Sequence, residues 1–270
     1  MTPHRGCAGV TTRLPAYVAA AAALSRSAGL ANGIRGAVAV IPGSGNWWAG
    51  LLAAREEGAV AVVIADPAVL PEEVLDAGSW AGGIPVVVER PGLRADMVAD
   101  AVRARRGTQA RMVTVECAAP ATRLGAVIRD GVGWARSLAG GPLTLQKGTA
   151  VAEGAMALMD SPLTGGGHLP STLVGTVLGG PAAGGLLQVL ALGEVRTEVA
   201  IDHDAGRVKL ETSTPEGSLR APERYETSAR LALRRAIEAM SSGGQVADLR
   251  ELLEDQRIAH KLMQAAQVAG

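Results

Sequence analysis

The chain lacks phenylalanine entirely, and its aromatic content is only 2%. Aliphatic side chains must therefore fill its core. Cysteine is scarce as well: Cys7 and Cys117 occupy unrelated positions, which argues against a disulfide framework and against a thiolate zinc site. Lysine is confined to Lys147, Lys209 and Lys261, so a lysine-based proton-transfer group has few candidates.

The chain has no formal net charge, because 26 basic residues balance 26 acidic ones. No basic run or aromatic-interleaved basic patch is present, so we expect no nucleic-acid partner. The alanine-rich run at 17–24 is too short to span a bilayer, and it lacks the basic start and long leucine-rich core of a secretory signal. The sequence therefore predicts a cytoplasmic protein without a membrane partner.

Apolar runs alternate with helical segments through the first 120 residues. The strands are rich in valine and continuous, as expected where helices cover both faces of a parallel sheet. Residues 1–120 are therefore predicted to form an α/β domain with an incomplete, Rossmann-like, doubly wound parallel sheet. Its predicted strands are 37–41, 59–65, 85–88 and 111–116, and its predicted helices are 15–28, 47–57, 72–78 and 94–105.

The second half of the chain has a different pattern. Alternating segments at 195–201 and 207–212 flank the turn sequence DHDAG and predict a hairpin. Two helices are expected to close the chain, one over 223–240 and one capped by Asp248. Residues 121–270 are therefore predicted to form an α+β domain built on an antiparallel sheet.

Among the histidines, His168 is the best placed for catalysis. It lies in LTGGGHLP, where three glycines allow close backbone approach to a ligand, although a flexible surface loop is the alternative. His203 lies in the predicted hairpin turn, His260 in the last helix and His4 in the N-terminal tail. The acidic neighbours of His203 suggest a metal site, but adjacent ligands in a tight turn suit one poorly, so no metal is predicted.

Two segments carry a family resemblance. VVIADP at 62–67, followed by VVVERP at 86–91, is spaced like the third and fourth strands of a family in which VVIATP precedes an E-K-P motif. RDGVGWARSLAGGPL at 129–143 is similar to the segment in which that family carries D-x-G-x-H-x-x-D. The chain thus resembles the glucose–fructose oxidoreductase/inositol dehydrogenase/MocA (Gfo/Idh/MocA) family in a shortened, degenerate form.

The resemblance implies an NAD(P)-dependent oxidoreductase whose proton-transfer groups are a lysine, a histidine and an acid. At those positions this chain has Arg90, Trp134 and Ser137, and it retains only Asp130 of the second motif. Arginine stays protonated, and indole and serine do not titrate near neutrality, so the usual proton shuttle is missing. Arg90 remains suited to orienting an anionic substrate or a cofactor phosphate. Lys147, in a predicted strand, is the candidate for a substitute base.

The implied NAD(P) site lacks its usual glycine fingerprint. Before the helix at 15–28 the chain offers only Gly6-Cys7-Ala8-Gly9 behind five residues, which is too short for a buried first strand. An alternative register takes 37–41 as the first strand, with a glycine phosphate loop after it and Asp66 as the ribose ligand. A plain glycine turn is the other interpretation. The predicted cofactor-binding residues are Gly43, Gly45, Asp66, Pro67 and Glu89.

Three functions remain open. The chain is an NAD(P)-dependent oxidoreductase of small-molecule biosynthesis, or a cofactor-independent enzyme of the same fold that performs cyclisation, isomerisation or elimination. Alternatively, it is a non-catalytic homologue that binds a metabolite or pairs with an intact relative. In the family the sheet face of the second domain that no helix covers commonly packs against another subunit. We therefore expect a homodimer, or a hetero-oligomer with a homologous subunit.

Overall fold

The structure is a computed structural model that describes residues 7–77, 82–163, 165–179 and 184–264. These residues divide into two compact units. The first runs up to Pro91 and takes in Arg224–Leu253; the second holds Gly92–Glu223 and continues from Glu254 onward. The strands are β1 (Ala8–Thr11), β2 (Ala28–Leu30), β3 (Val38–Pro42), β4 (Ala61–Ala65), β5 (Val86–Glu89), β6 (Ala110–Ala119), β7 (Thr144–Val151), β8 (Gly154–Pro162), β9 (His168–Val177), β10 (Leu186–Gly193), β11 (Arg196–Asp202), β12 (Arg207–Thr214) and β13 (Gly217–Arg220). The helices are α1 (Pro15–Ala23), α2 (Trp47–Glu56), α3 (Glu72–Ala77), α4 (Ala95–Ala104), α5 (Ala121–Ala139), α6 (Ser228–Ser242) and α7 (Asp248–Gln264), and a short 3-10 helix covers Pro91–Leu93.

The first unit contains a five-stranded parallel sheet in the order β2-β1-β3-β4-β5. The predicted strands at 37–41, 59–65 and 85–88 are confirmed as β3, β4 and β5, with small shifts at their ends. The strand order reverses between β1 and β3, because β2 lies on one side of β1 and the chain continues on the other. This is the doubly wound arrangement that the continuous valine runs predict.

The expectation that the chain has no room for a first strand is wrong. β1 lies between β2 and β3, and Val10 in its centre is fully buried. Four residues suffice because neighbouring strands on both sides satisfy the backbone hydrogen bonds of β1. The alternative register, with 37–41 as the first strand, is wrong for the same reason.

Helices cover both faces of the parallel sheet. On one face Tyr17 of α1 and Leu233 of α6 pack in a cluster with Val63 of β4. On the other face Leu51 of α2 and Leu252 of α7 pack against β4 and β5. The helix that forms α6 was predicted to belong to the domain at 121–270, but it packs within the first unit.

The second unit contains an eight-stranded sheet in the order β13-β12-β11-β10-β6-β9-β8-β7. β6 belongs to this sheet rather than to the parallel one, so the units meet at Pro91–Gly92 and not at the predicted boundary after residue 120. Along β6, buried Val113, Val115 and Cys117 alternate with more exposed residues, which is the pattern of a strand covered on one face only. β6 pairs parallel with β9, so the sheet that was predicted to be antiparallel is mixed. The hairpin of β11 and β12 is confirmed.

Helix α5 covers one face of this sheet, on β6, β9 and β10. Gly131 permits the close packing, because a Cβ there would lie 2.7 Å from Cγ1 of Val115 and 3.1 Å from Sγ of Cys117. The other face carries exposed apolar side chains. We call this surface the open face; it includes Met156, Leu158, Val174, Leu186 and Leu192. Within the described ranges, no helix is long and apolar enough to cross a membrane.

Candidate functional site

The carboxyl ends of the parallel strands bring Gly43, Asp66 and Glu89 to one edge of the first unit's sheet. The amide of Gly43 donates to the carbonyl of Ala65 at 2.8 Å, and the amide of Asp66 donates to the carbonyl of Glu89 at 3.1 Å. Pro67 is buried directly after Asp66. Open α/β sheets bind ligands at this edge, close to the point where the strand order reverses. The predicted cofactor-binding residues are therefore neighbours at the expected edge.

Backbone packing explains Gly43. A Cβ at Gly43 would collide with the carbonyl oxygen of Ala65, and the Gly43 carbonyl accepts from the amide of Ala68 at 2.8 Å. Gly45 has φ 64°, in the left-handed region that favours glycine. Asn46 then caps α2, since its Oδ1 accepts from the amide of the residue at N3 at 3.1 Å. These contacts favour the interpretation of a glycine turn between β3 and α2.

Glu89 of the E-R-P turn is anchored from α1. The hydroxyl of Tyr17 donates to Oε2 of Glu89 at 2.6 Å, and Tyr17 is only 1% exposed. Burial raises the pKa of Tyr17 far above its usual range, and the carboxylates of Glu89 and Asp66 raise it further. The phenol therefore stays protonated, and it holds the Glu89 carboxylate at the sheet edge.

The turn between β1 and α1 is where a Rossmann domain holds the cofactor pyrophosphate, through backbone N–H groups at the helix N-terminus. Residues 11–15 of this chain, TTRLP, include no glycine. Pro15 at the first helical position has no N–H. The amide of Leu14 donates to Oγ1 of Thr12 at 3.1 Å, and the amide of Tyr17 donates to the carbonyl of Leu14 at 3.0 Å. In this turn, Pro15 thus offers no N–H group, and the amides of Leu14 and Tyr17 are already hydrogen-bonded.

The position that would bind the cofactor ribose also lacks its usual ligand. A dinucleotide-binding domain places an Asp or Glu after its second strand, where the carboxylate binds a ribose hydroxyl. Here β2 ends at Leu30 and is followed by Ala31, Asn32 and Gly33, without a carboxylate. The residues present do not fit NAD(P) bound in the Rossmann manner.

In the second unit, the retained acid of the family motif is buried in α5. Asp130 is 5% exposed, and its Oδ1 accepts from Nε and Nη2 of Arg129 at 3.3 Å each. Arg129 is 1% exposed, so the pair is almost completely removed from solvent. Such a pair is expensive to break, because the remaining charge would stay buried without its counter-ion.

Trp134 occupies the family's histidine position and has a structural role. Its indole is fully buried, and its Nε1 donates to the carbonyl of Gly92 at 2.8 Å. Ser137, at the position of the final acid, donates from Oγ to the carbonyl of Gly133 at 2.8 Å within α5. Neither side chain supplies a group that can exchange protons with a substrate near neutrality.

A histidine that the sequence did not favour lies beside Asp130. A Cβ on Gly92 would be 2.5 Å from Oδ2 of Asp130 and 3.1 Å from Cε1 of His203, so both side chains border the same point. His203 comes from the turn between β11 and β12. No spacing in the sequence connects this turn with α5, because the contact exists only once the sheet has formed. In the sequence, Gly92, directly after the E-R-P turn, is the residue that could have indicated close packing at this point.

Cys117 is close to this cluster but is not a nucleophile. It is 3% exposed, and burial raises the pKa of its thiol, with the nearby Asp130 carboxylate adding to the increase. The thiolate is the reactive form, so the thiol is inert near neutral pH. Among the described residues, no group of three or more His, Cys, Asp or Glu side chains is arranged to hold a metal ion.

The structure does not bring Lys147 or His168 to Asp130. Lys147 is exposed on the edge strand β7 and is paired with exposed Leu158, which places it on the open face. His168 begins β9, and its exposed ring lies with Nδ1 at 3.0 Å from Oδ2 of Asp160. Both lie on the side of the sheet opposite to α5.

Arg90 follows β5 in the first unit, at the family's lysine position. It is 6% exposed and interacts with neighbouring residues. A buried guanidinium is a fixed positive charge with directional N–H groups, suited to positioning a carboxylate or phosphate. It is unsuited to exchanging protons, because it does not lose its proton in proteins.

Solved structures of the same fold cover nearly the whole chain. An oxidoreductase from Sinorhizobium meliloti has 13% identity and a TM-score of 0.66, with 98% of each chain covered. UDP-N-acetylglucosamine 3-dehydrogenase from Acidithiobacillus ferrooxidans has 15% identity and a TM-score of 0.62, over 97% of this chain and 90% of that one. A 3-ketoreductase from Actinomadura kijaniata, in complex with TDP-benzene and NADP, has 13% identity and a TM-score of 0.56, over 96% and 88%.

These neighbours are oxidoreductases of the Gfo/Idh/MocA type, and this chain has their fold. The family resemblance and the predicted fold class are therefore confirmed at the level of the fold. The sequence matches no protein-family model and no curated protein. Activity must consequently be inferred from the residues of this chain.

Proposed function

We propose that this chain is an enzyme of the Gfo/Idh/MocA fold that acts on a small molecule without a nicotinamide cofactor. The β1–α1 turn carries the proposal. Pro15 lacks an N–H, and the N–H groups of Leu14 and Tyr17 donate to Thr12 Oγ1 and to the Leu14 carbonyl instead of facing a pyrophosphate. The chemistry that we assign to it is proton transfer to and from one substrate, as in isomerisation, cyclisation or elimination.

One charged group of the first unit suits such a reaction. Arg90 is a buried fixed cation. An anionic substrate oriented by a guanidinium is a common arrangement in sites that bind carboxylates or phosphates. The proposed substrate is therefore an anionic small molecule with an acidic C–H bond.

Deuterium incorporation tests this proposal. Pools of sugar acids, cyclitols and keto acids would be incubated with the protein in D₂O, without nicotinamide, and analysed by mass spectrometry. We expect protein-dependent uptake of deuterium into at least one compound, and we expect Arg90→Ala to abolish that uptake. Conversion of a substrate only when NADPH or NAD⁺ is added would contradict the proposal.

An NAD(P)-dependent oxidoreductase is the second candidate. It is favoured by the likeness to the NADP-bound ketoreductase and by the placement of Gly43, Asp66 and Glu89 at the ligand edge of the sheet. The two candidates differ in one property, the binding of NADH or NADPH, which can be measured directly.

We further propose that the open face binds a second copy of this chain. Exposed Met156 of β8 lies opposite exposed Val174 of β9, and the central strand β10 adds Leu186 and Leu192. A contiguous apolar surface on a sheet favours burial against another subunit. Light scattering should show a dimer, and Met156→Glu should yield a monomer with unchanged secondary structure. A wild-type monomer would contradict the proposal, and a complex only with a homologous protein would replace it with the hetero-oligomer.

A further inference from the structure

In the described part of the chain, the strand that carries the E-R-P turn pairs with one other strand. β5 lies at the end of the parallel sheet, beside β4. The carbonyls of Pro85 and Glu89 accept from amides on the β4 side, at 2.9 Å and 3.1 Å. Backbone groups alternate in direction along a strand, so the N–H of Val88 points away from β4. Val88 is only 6% exposed, and a buried N–H requires an acceptor.

A carboxylate at the start of α7 supplies that acceptor. Oδ2 of Asp248 accepts from the amide of Val88 at 3.1 Å. Arg235 of α6 holds the same carboxylate, because its Nη1 donates to Oδ2 and its Nη2 donates to Oδ1, each at 2.8 Å. The sequence predicts that Asp248 caps α7, whereas its carboxylate is bonded to the edge of the sheet. All three residues belong to the first unit.

Fixing Val88 also fixes the turn that follows it. Glu89 is held through its carbonyl on the β4 side and through its carboxylate by Tyr17. The bond to Asp248 acts on the opposite edge of the same strand, and Arg90 follows two residues after Val88. The position of Arg90 matters for chemistry, since a displacement of about 1 Å in a group that orients a substrate can cost about 100-fold in rate.

We propose that Asp248 is a positioning residue for Arg90. By accepting from the Val88 amide, Asp248 fixes the end of β5 and thereby the place of the Arg90 guanidinium, while Arg235 orients the carboxylate. Asp248 acts through the strand and does not contact the substrate. This inference rests on the proposed function, in which Arg90 orients an anionic substrate.

Two substitutions at one position separate the hydrogen bond from the charge. Asp248→Ala removes both, whereas Asp248→Asn removes the charge and retains an oxygen that can accept from Val88. NMR of ¹⁵N-labelled protein measures the exchange rate of the Val88 amide and the Nε–H signal of Arg90, which Arg90→Lys identifies. In Asp248→Ala we expect Val88 exchange to be faster by about tenfold or more and the Arg90 signal to shift. Asp248→Asn should restore most of both.

A second carboxylate that is held in the same way provides the control. In the second unit, Nε and Nη2 of Arg136 donate to the carboxylate of Asp255 at 2.8 Å and 3.2 Å. Asp255→Ala should therefore lower stability in urea denaturation, as Asp248→Ala does, but leave the Arg90 signal in place. An equal shift of the Arg90 signal in both variants would show that it follows stability alone, and the proposal would be overturned.

Other results would overturn the proposal as well. One is a Val88 amide that exchanges in wild type as fast as an unbonded amide, a result that requires no variant to fold. Another is an unchanged Arg90 signal in folded Asp248→Ala, and a third is a shift in Asp248→Asn as large as in Asp248→Ala. The spectra require neither substrate nor cofactor, so a failure of this proposal is distinguishable from a failure of the deuterium experiment.

Discussion

The two units differ in how they have departed from the family pattern. In the first unit, the ligand edge of the parallel sheet is intact, but the residues that would hold a dinucleotide make internal contacts instead, through Thr12, Leu14 and Tyr17. In the second unit, Trp134 stands where the resembling family carries a histidine, and its buried indole is a hydrogen-bond donor to Gly92. In both units, residues at positions that the family uses for binding or proton transfer make internal hydrogen bonds.

The strand order of the sheet and the residues at its ligand edge depend on different features of the chain. A sheet edge is determined by strand order, which depends on buried valines, so Gly43, Asp66 and Glu89 still meet there. A phosphate site depends on a few free amides, which a proline or a threonine hydroxyl removes without disturbing the core.

The tryptophans give the largest expected effects, one in each unit. Trp47 donates from Nε1 to the carbonyl of Ala68 at 3.0 Å, as Trp134 does to Gly92 at 2.8 Å, and both rings are buried. Trp47→Ala and Trp134→Ala should each lower the free energy of unfolding by about 3–5 kcal/mol, measured by urea denaturation. Half-buried Trp48, replaced by Ala, is the control and should cost less. If Trp134→Ala cost no more than the control, the structural role of that indole would be refuted.

Two glycine substitutions, one in each unit, test how tightly the backbone is packed at Gly43 and Gly92. Gly43→Ala places a methyl group against the backbone of Ala65, which cannot move aside, and should cost about 1–3 kcal/mol in urea denaturation. Gly92→Ala meets the end of the Asp130 side chain, which can shift, so its cost should be smaller.

The order of the two costs tests this account. A cost of Gly92→Ala that exceeds the cost of Gly43→Ala in urea denaturation would contradict the account of both glycines.

The anchor of the E-R-P turn predicts an effect confined to the first unit. Tyr17→Phe removes the hydroxyl that donates to Glu89 at 2.6 Å and leaves that carboxylate without this bond. The variant should lose about 1–3 kcal/mol of stability at neutral pH. Thermal denaturation of Tyr17→Phe beside wild type checks this, and equal melting temperatures would show that the hydrogen bond contributes nothing.

Alkaline pH tests one buried acid in each unit. The folded-state pKa values of Tyr17 and Cys117 are both raised, so each group favours folding below its unfolded pKa and loses that contribution as pH increases beyond it. Stability should decline above about pH 8.5 through Cys117 and above about pH 10 through Tyr17, by at most about 1.4 kcal/mol per pH unit for each group. Cys117→Ala should remove the first part of the decline and Tyr17→Phe the second. Denaturation curves over a pH series measure this, and a flat profile in wild type would contradict it.

The smallest expected change in stability comes from the exposed pair of His168 and Asp160 on the second unit's sheet. Asp160→Asn removes the partner of His168, whose side chain is 64% exposed. Stability should change by no more than about 0.5 kcal/mol, because polar contacts between exposed side chains are weak. A large loss in urea denaturation would mean that this end of β9 depends on the pair.

The sequence predicts most of the first unit because its strands are long, continuous and valine-rich. It fails for β1, whose four residues are stabilised by neighbours on both sides rather than by their own pattern. It also assigns β6 to the wrong sheet. In β6, buried Val113 and Val115 alternate with more exposed residues, which is the pattern of a strand covered on one face only.

For the candidate site, the motif spacing points to the positions of Arg90, Asp130 and Trp134. Motif spacing cannot identify His203, because a turn and a helix far apart in the chain meet only through tertiary packing. His168 was chosen for the glycines before it and Lys147 as the lysine in a predicted strand, but the structure places both on the face opposite to α5.

The central claim is that the first unit no longer binds a nicotinamide cofactor, and calorimetric titration with NADPH and NADH tests it most directly. The 3-ketoreductase from Actinomadura kijaniata, which was solved with NADP, serves as the positive control. For this chain we predict no heat of binding and no change in melting temperature at millimolar cofactor. Saturable binding of either dinucleotide would contradict the claim and would establish the NAD(P)-dependent oxidoreductase instead.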